Sequence, residues 1–321
     1  MCYSAEVYAA YDKYTRLLGA RMSIHEFYEL FYRRSTDPEA RIKIPKALEL
    51  AFDRPQTDQE REVKELIDAF NAKEKTRVEQ ELFAQRKRLA DAERTLATKT
   101  TKAATDSKRI ATEKISKAMT KLSDLQRKEL KPRDSRIFPG VYAPVMTMDA
   151  GELVVMPMRY QCRPAGKPAF FDTKFPGTYN ARRDNLEGFW KDLFGYTHGV
   201  MLASAFYENV KRHRMEGREL AEGEEEENVV LEFKPDGLDE MWVACVWSRW
   251  TSPGQAPLLS FAAITDEPPP EVAAAGHDRC IIPLKRESVM DWLSPQASNL
   301  AAMYAILDDR ERPYYEHRLA A

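Results

Sequence analysis

The sequence predicts an α+β fold: a compact, mostly antiparallel β-rich domain with short helices, and a protruding antiparallel helical hairpin inserted into it. Two observations support this prediction. Between Pro55 and Pro132 there is no glycine or proline, and good helix formers dominate the stretch. From Ser135 onward, short apolar runs bounded by Pro and Gly replace them, as is typical of antiparallel strands. The chain has 321 residues, 43% of them hydrophobic, enough for a sizeable core.

Residues 1–55 are expected to form short helices that pack on the core and carry an N-terminal cysteine. Apolar residues recur at helical spacing over residues 4–19, and Gly19 would cap that helix. Ser23 with Glu26 has the spacing of a capping box, which predicts a second helix directly after it.

Residues 56–132 are predicted to form the hairpin, with helices of about 40 and 25 residues packed in a coiled-coil-like manner. Its apolar positions lie at helical and heptad spacing on both sides of the polar passage "ATKTTKAATDS". They are Val63, Ile67, Phe70, Leu82, Leu89, Leu96, Ile115, Met119, Leu122 and Leu125.

The hairpin has an uneven charge. Residues 94–133 contain 12 Lys or Arg and four Asp or Glu, a net charge of +8. A basic helix can lie along phosphates, but it can equally be an ordinary solvated face. A contact of the hairpin with DNA or with a protein partner is therefore one of two open interpretations.

Residues 133–321 are predicted to form the β-rich core. Its clearest strands are "GVMLASAFYEN", "NVVLEFKP", "MWVACVWSRW" and "LLSFAAITDEP". Turn residues separate these runs, and their spacing favours an antiparallel arrangement.

Composition excludes several classes of protein. A net charge of −2 and a pI near 6.3 argue against a generally basic nucleic-acid binder, so any basic surface must be local. No apolar run approaches a membrane span, and the first residues have no signal-peptide pattern. The four cysteines have no disulfide-framework spacing, which favours a reducing cytoplasm, and the five histidines have no zinc spacing, so we expect no metal. We also expect no cofactor and no membrane partner.

Four residues are candidates for chemistry. Once Met1 is removed, Cys2 carries a free α-amine and a thiol on neighbouring carbons, a pair that no internal cysteine has. Asn180, Glu208 and His277 are the polar and acid–base groups that such a terminus would need. Each also has a structural interpretation: Asn180 as a helix cap, Glu208 as the partner of an arginine, and His277 as a satisfied histidine.

Together these segments resemble the SRAP family of SOS-response-associated peptidases and abasic-site-processing proteins. The resemblance covers residues 1–2 and about 136–294. The motifs that carry it are, in order, Met1-Cys2, Asn180-Ala181-Arg182, Ala205-Phe206-Tyr207-Glu208, Trp247 in "ACVW", "SFAAIT" at 260–265, and His277-Asp278-Arg279. About 130 residues, including the hairpin, separate the first motif from the others.

The resemblance implies binding to single-stranded DNA and covalent capture of abasic sites by Cys2, through a Schiff base and then a thiazolidine. It implies catalytic roles for Cys2, Asn180, Glu208 and His277, together with AP-lyase activity and autoproteolytic removal of Met1. Arg182, Arg183 and Arg279 would contact DNA phosphates. It also implies a cytoplasmic, nucleoid-associated protein of bacterial origin.

Two other functions stay open at this stage. The chain could be an amide hydrolase or peptidase that uses the N-terminal cysteine, with Glu208 or His277 as base. Alternatively, it could be a non-enzymatic scaffold whose hairpin recruits a partner, in which case Cys2→Ala would change nothing.

Overall fold

The computed structural model of the protein describes residues 4–7 and 19–320. It contains two compact units. The first comprises the described residues up to Leu30, Arg41–Ala51, and the chain from Lys131 onward. The second comprises Phe31–Ala40 and Phe52–Leu130. The first unit is built around a sheet and the second is helical, which confirms the predicted α+β class. The predicted domain limits of 1–55, 56–132 and 133–321 stay a prediction.

One mixed sheet forms the frame of the first unit. Its strands are β1 Ser4–Val7, β2 Arg21–Met22, β3 Arg136–Ile137, β4 Tyr142–Asp149, β5 Glu152–Tyr160, β6 Asn180–Arg182, β7 His198–Lys211, β8 Asn228–Pro235, β9 Met241–Ser252, β10 Gln255–Asp266, β11 Cys280–Ile281, β12 Pro283–Leu284 and β13 Tyr315–Leu319. The main path runs β12-β9-β10-β5-β4-β7-β1-β3. Most pairings are antiparallel, while β10 pairs in parallel with β5 and β6. The four strands predicted most clearly correspond to β7, β8, β9 and β10.

The central strands are buried on both faces. Along β10, Phe261 and Ala263 belong to one core cluster, whereas Ala262 and Ile264 belong to another. Two-sided burial explains why such strands are nearly continuous apolar runs instead of a strict alternation of apolar and polar residues.

Short helices complete the first unit, and two long ones dominate the second. The helices are α1 Ile24–Thr36, α2 Lys46–Leu50, α3 Asp58–Thr98, α4 Lys102–Gln126, α5 Phe171–Lys174, α6 Arg212–Met215, α7 Pro270–Ala274, α8 Val289–Leu293 and α9 Leu300–Asp308. Helix α1 begins where the Ser23–Glu26 pattern predicts it. Within the described part of the chain, no helix is long and apolar enough to cross a bilayer.

The predicted helix over residues 4–19 is wrong at its start. Ser4–Val7 forms β1, which pairs with β7 and β3, and the side chains of Ala5 and Val7 are buried in the core. Strand pairing outweighs the helical spacing here because it buries both residues. Residues 8–18 lie outside the described part of the chain.

Helices α3 and α4 form the predicted antiparallel hairpin. They contain 41 and 25 residues and are joined by residues 99–101. Ala104, Ala111 and Ala118 recur every seven residues along α4 and are buried in the seam, so that the two backbones approach closely. Lysines of α4 bridge to glutamates of α3, and the antiparallel order follows from the pairs Lys121–Glu74 at 2.7 Å and Lys108–Glu93 at 3.1 Å.

Candidate functional site

Glu208 lies near the end of β7 with its side chain directed into the core. The exposed fraction of the residue is 0%, although carboxylates are rarely fully buried. A β-bulge at Ser204 accounts for this direction. Ala203 and Phe206 belong to the same core cluster although they are three residues apart, because the bulge changes which residues face inward. After the bulge, Glu208 follows Phe206 and precedes Val210 on the buried face.

His277 approaches Glu208 from the turn between α7 and β11. The imidazole Nε2 lies 3.1 Å from a carboxylate oxygen of Glu208. Burial lowers the pKa of His277 below its ordinary value, because removing water disfavours the charged imidazolium. Gly276 makes this turn: its φ is +92°, and a Cβ there would come within 3.0 Å of the Arg214 Cβ.

The other ring nitrogen of His277 is held by backbone. Nδ1 lies 2.9 Å from the carbonyl oxygen of Arg279 and 3.3 Å from its amide nitrogen. When Nδ1–H donates to that carbonyl, Nε2 and the carboxylate of Glu208 can hold one proton between them. Such a buried pair can give up and take back a proton without exchange with bulk water.

Asn180 lies on β6, which pairs in parallel with β10 at Ala263. The residue is 6% exposed, and among the described residues neither its amide nitrogen nor its amide oxygen has a hydrogen-bond partner. A buried amide left unsatisfied costs about 1–3 kcal/mol. The side chain is therefore available to a group that the described residues do not supply. Because Asn180 begins a strand, the interpretation as a helix cap is wrong.

Two of the predicted DNA-contacting arginines lie close to His277. Arg182 pairs with Asp184 at 2.6 Å, and its guanidinium is half exposed. The hydrogen bond to Asp184 raises the pKa of Arg182, and the nearby carboxylate of Asp278 acts in the same direction. Arg279 interacts with Asp184 and with Asp278. These four side chains form a charged rim beside His277.

The third predicted arginine, Arg183, points elsewhere. Its guanidinium pairs with Asp308 at 2.5 Å, lies 3.8 Å from Asp266 and packs over the ring of Tyr304 at 5.3 Å. Through these contacts, Arg183 connects the end of β6 to α9 and β10. Arg182, in contrast, pairs with Asp184, which lies only two residues further along the chain and is exposed to solvent.

His277 also lines an open cavity of about 480 Å³ that the sequence did not reveal. The cavity is lined by Arg214, Gly217, Arg218, Glu219, Ala273, Ala274, Gly276, His277 and Asp278. Arg214 is exposed and, within residues 4–7 and 19–320, has no ion pair. The basic run "KRHR" at 211–214 was the signal in the sequence that points to it.

The acidic loop at 222–227 pairs with the other cations of that run. Lys211 pairs with Glu226, Arg212 pairs with Glu227, and Arg218, beyond the run, pairs with Glu224 at 2.6 Å. The loop therefore neutralises basic residues next to the cavity instead of lying apart from the site.

Cys2 lies outside the described residues, as do Met1 and Tyr3. The structure begins at Ser4, which pairs with Tyr207, the residue directly before Glu208. Ser4 is fully buried, and its hydroxyl accepts a hydrogen bond from Arg136 at 2.9 Å. The N-terminal strand is thus fixed beside the strand that carries Glu208.

The other three cysteines are poor nucleophiles. Cys162, Cys245 and Cys280 are free and buried. Burial raises the pKa of the Cys162 thiol to about 12 and raises the pKa values of the other two as well. Among residues 4–7 and 19–320, no group of His, Cys, Asp or Glu side chains is placed to hold a metal ion.

Comparison with known proteins identifies the family of the chain. The family model described as SOS response associated peptidase (SRAP) matches residues 94–319. A search of curated proteins finds no match.

Three solved structures are similar to the chain. One, from Bordetella bronchiseptica, is 17% identical, with 58% of this chain and 87% of that chain covered and a TM-score of 0.45. A phage-related protein from the same organism is 18% identical, with 61% and 85% covered and a TM-score of 0.44. A protein from Bacteroides thetaiotaomicron is 13% identical, with 58% and 78% covered and a TM-score of 0.45.

Proposed function

Because this chain belongs to the SRAP family, we propose that it binds single-stranded DNA and captures abasic sites covalently through Cys2. Family membership itself supports a DNA-damage-associated function and a DNA partner. The observation that carries the finer proposal is the position of Ser4 beside Tyr207, because it fixes the N-terminal strand next to the Glu208–His277 pair.

The proposed reaction uses both nucleophiles of an N-terminal cysteine. An α-amine has a pKa of about 7.7–8.0, so a substantial fraction is neutral near pH 7.5 and attacks the C1′ aldehyde of the opened abasic sugar. The resulting carbinolamine loses its hydroxyl as water and becomes an imine. The thiol then adds to the imine carbon, its proton passes to the nitrogen, and a five-membered thiazolidine closes. One water is released overall.

Glu208 and His277 are proposed to supply the proton transfers. Loss of the carbinolamine hydroxyl needs a proton donor, and the shared proton between Glu208 and His277 meets that need. Neutral His277 would also assist opening of the sugar ring by accepting a proton from its hydroxyl. We extend the proposal to β-elimination of the 3′ phosphate (AP-lyase activity) and to removal of Met1, since each also requires an acid–base pair.

Asn180 and the arginines are proposed to position the reactants. The buried amide of Asn180, which has no partner among the described residues, would orient the terminal amine. Arg182 and Arg279 would contact phosphates beside the lesion without reading sequence, and Arg214 joins them. The contacts of Arg183 with Asp308 and Asp266 favour a structural role for that residue instead.

The proposal is tested with a single-stranded oligonucleotide that carries one abasic site. Protein whose loss of Met1 has been verified by intact mass is mixed with it and analysed on a denaturing gel. We expect a covalent species with the mass of protein plus DNA less one water. Cys2→Ala should abolish it, and an undamaged oligonucleotide should yield none. An amide hydrolase or a scaffold would form no such species, so its absence from the verified wild-type protein would overturn the proposal.

A further inference from the structure

Positive charge on the hairpin concentrates at its tip, in a part of the molecule that the site above does not use. Residues 86–109 include eight basic and three acidic residues, a net charge of +5. The remainder of the two helices, residues 58–85 and 110–126, has eight basic and ten acidic residues, a net charge of −2. The charge of the hairpin is therefore segregated along its length.

Some of the tip cations have structural partners. Lys108 pairs with Glu93 at 3.1 Å, Arg94 pairs with Asp91, and Arg88 donates to the Ser107 hydroxyl at 2.8 Å. Four others are exposed and have no ion pair within the described part of the chain. They are Arg86, Lys87, Lys99 and Lys102. Like charges gathered without counter-charges repel one another, so an anionic partner would stabilise this arrangement.

A large aromatic side chain lies next to two of these cations. Phe83 is 74% exposed, and it precedes Arg86 and Lys87 by three and four residues on α3. Residues at this spacing share one face of a helix. Phe83 takes no part in the buried seam, which uses Val78 and Ala92 instead.

We propose that this tip surface, made of Phe83, Arg86, Lys87, Lys99 and Lys102, binds single-stranded nucleic acid. The four cations contact phosphates, and Phe83 stacks on an unpaired base. Proteins that bind single strands without sequence preference combine cations that follow the phosphate backbone with aromatic side chains on which the bases stack. An anionic membrane surface fits less well, because membrane binding by a helix requires a continuous apolar face. The tip binds intact strands and does not depend on Cys2.

The test measures the salt dependence of binding to an undamaged, fluorescently labelled single strand by anisotropy. The tip variant is Lys99→Ala/Lys102→Ala. The matched control, Lys73→Ala/Lys128→Ala, removes two exposed lysines from the same helical unit away from the tip. Each lost phosphate contact lowers the slope of log K against log salt by about 0.7, so we expect a decrease of about 1.4 for the tip variant. The control should retain the wild-type slope.

A second variant tests the stacking contact. Phe83→Ala should weaken binding about fivefold or more at constant salt with little change in slope, because stacking does not displace counterions. The proposal is overturned if the tip variant keeps the slope and affinity of the control. Circular dichroism of each variant verifies that the helices are intact. Since the oligonucleotide has no abasic site, this outcome is independent of capture by Cys2.

Discussion

The contact between Glu208 and His277 places an acid–base pair in the interior of a β sheet. A fully buried carboxylate is unfavourable unless it shares a proton or a charge with a neighbour, and the imidazole nitrogen 3.1 Å away supplies one. The carbonyl of Arg279 fixes the opposite side of the ring. Such an arrangement is a typical source of a perturbed proton affinity at a functional site.

Replacement of Glu208 by Gln should slow crosslinking without unfolding the protein. The amide has the same shape but cannot share a proton, so we expect the rate of capture of an abasic oligonucleotide to fall about 100-fold or more. Crosslinked product is followed on a denaturing gel over time. Glu232→Gln is the control, because Glu232 is a carboxylate on β8 that accepts from Tyr207 and pairs with Arg318 instead of contacting His277. Equal rates for both variants would argue against proton transfer by Glu208.

Asp172 illustrates a charged residue whose role is structural. Burial alone would raise its pKa, but hydrogen bonds from Arg163 and Arg159 outweigh that effect and hold the pKa of Asp172 below its ordinary value. A carboxylate with a lowered pKa in the folded state stabilises the fold above its unfolded pKa of about 3.9. That contribution is lost as the pH falls through the folded pKa.

Asp172→Asn should therefore destabilise the protein at pH 7, and the loss of stability should be smaller at acidic pH. The variant leaves two largely buried arginines unpaired, so we expect the free energy of unfolding to fall by about 3 kcal/mol at pH 7. The difference from wild type should narrow below about pH 4. Urea unfolding at several pH values measures the loss of unfolding free energy at pH 7 and its decrease in acid. Glu152→Gln, which removes an exposed pair with Arg21, should have little effect.

At the scale of elements, the acidic loop at 222–227 acts on the basic run that follows β7. Its glutamates pair with Lys211 and Arg212, and also with Arg218. The order of charged residues along the sequence separates the loop from the site, whereas the fold brings the loop against cations next to the cavity of His277. Under the proposed function, these carboxylates compete with phosphates for the same cations.

Neutralising the loop should therefore strengthen DNA binding. For the triple variant Glu224→Gln/Glu226→Gln/Glu227→Gln we expect tighter binding of a single strand and a steeper salt dependence. Lys211 loses its carboxylate partner, and Arg212 and Arg218 then share only Glu216, so more positive charge is available to phosphates. Anisotropy titrations at increasing NaCl measure both quantities. Glu49→Gln/Glu152→Gln/Glu316→Gln removes the same charge elsewhere on the first unit and serves as the control. If the two triple variants bind alike, only net charge matters and the loop has no special role.

At the scale of the whole molecule, the two units differ in how they bury apolar surface. The sheet has core clusters on both faces, whereas the two hairpin helices bury few residues. These are Val63, Ile67, Val78 and Ala92 on α3 and Ala104, Ala111 and Ala118 on α4. Hydrophobic stabilisation follows the apolar area that is removed from water. We therefore expect the hairpin to be the less stable of the two units.

Hydrogen exchange should show this difference directly. We expect the amides of α3 and α4 to exchange faster than those of β9 and β10, because the helices open locally at a lower free energy than the central strands. Mass spectrometry of peptides after timed exchange measures the exchange rates of these segments. Similar protection in both units would mean that they unfold as one cooperative block.

Much of this architecture follows from local sequence patterns. The lack of glycine and proline between Pro55 and Pro132 and the heptad spacing suffice to predict the hairpin, because helix propensity and apolar spacing are both properties of the local sequence. The apolar runs for β7 to β10 are equally evident. The order of the motifs also identified the family. Ser4–Val7 was predicted wrongly because its strand exists only through pairing with distant parts of the chain.

Local sequence patterns were enough to predict the fold class, the hairpin and the residue types of the candidate site. Which of these residues meet depends on the three-dimensional fold: a bulge at Ser204 directs Glu208 inward, and the turn at Gly276 brings His277 to it. The fold also makes Arg183 pair with Asp308, whereas Arg214 lines the cavity. The physical reason is that side-chain direction and long-range pairing depend on strand register and on packing between distant segments, which local patterns do not encode.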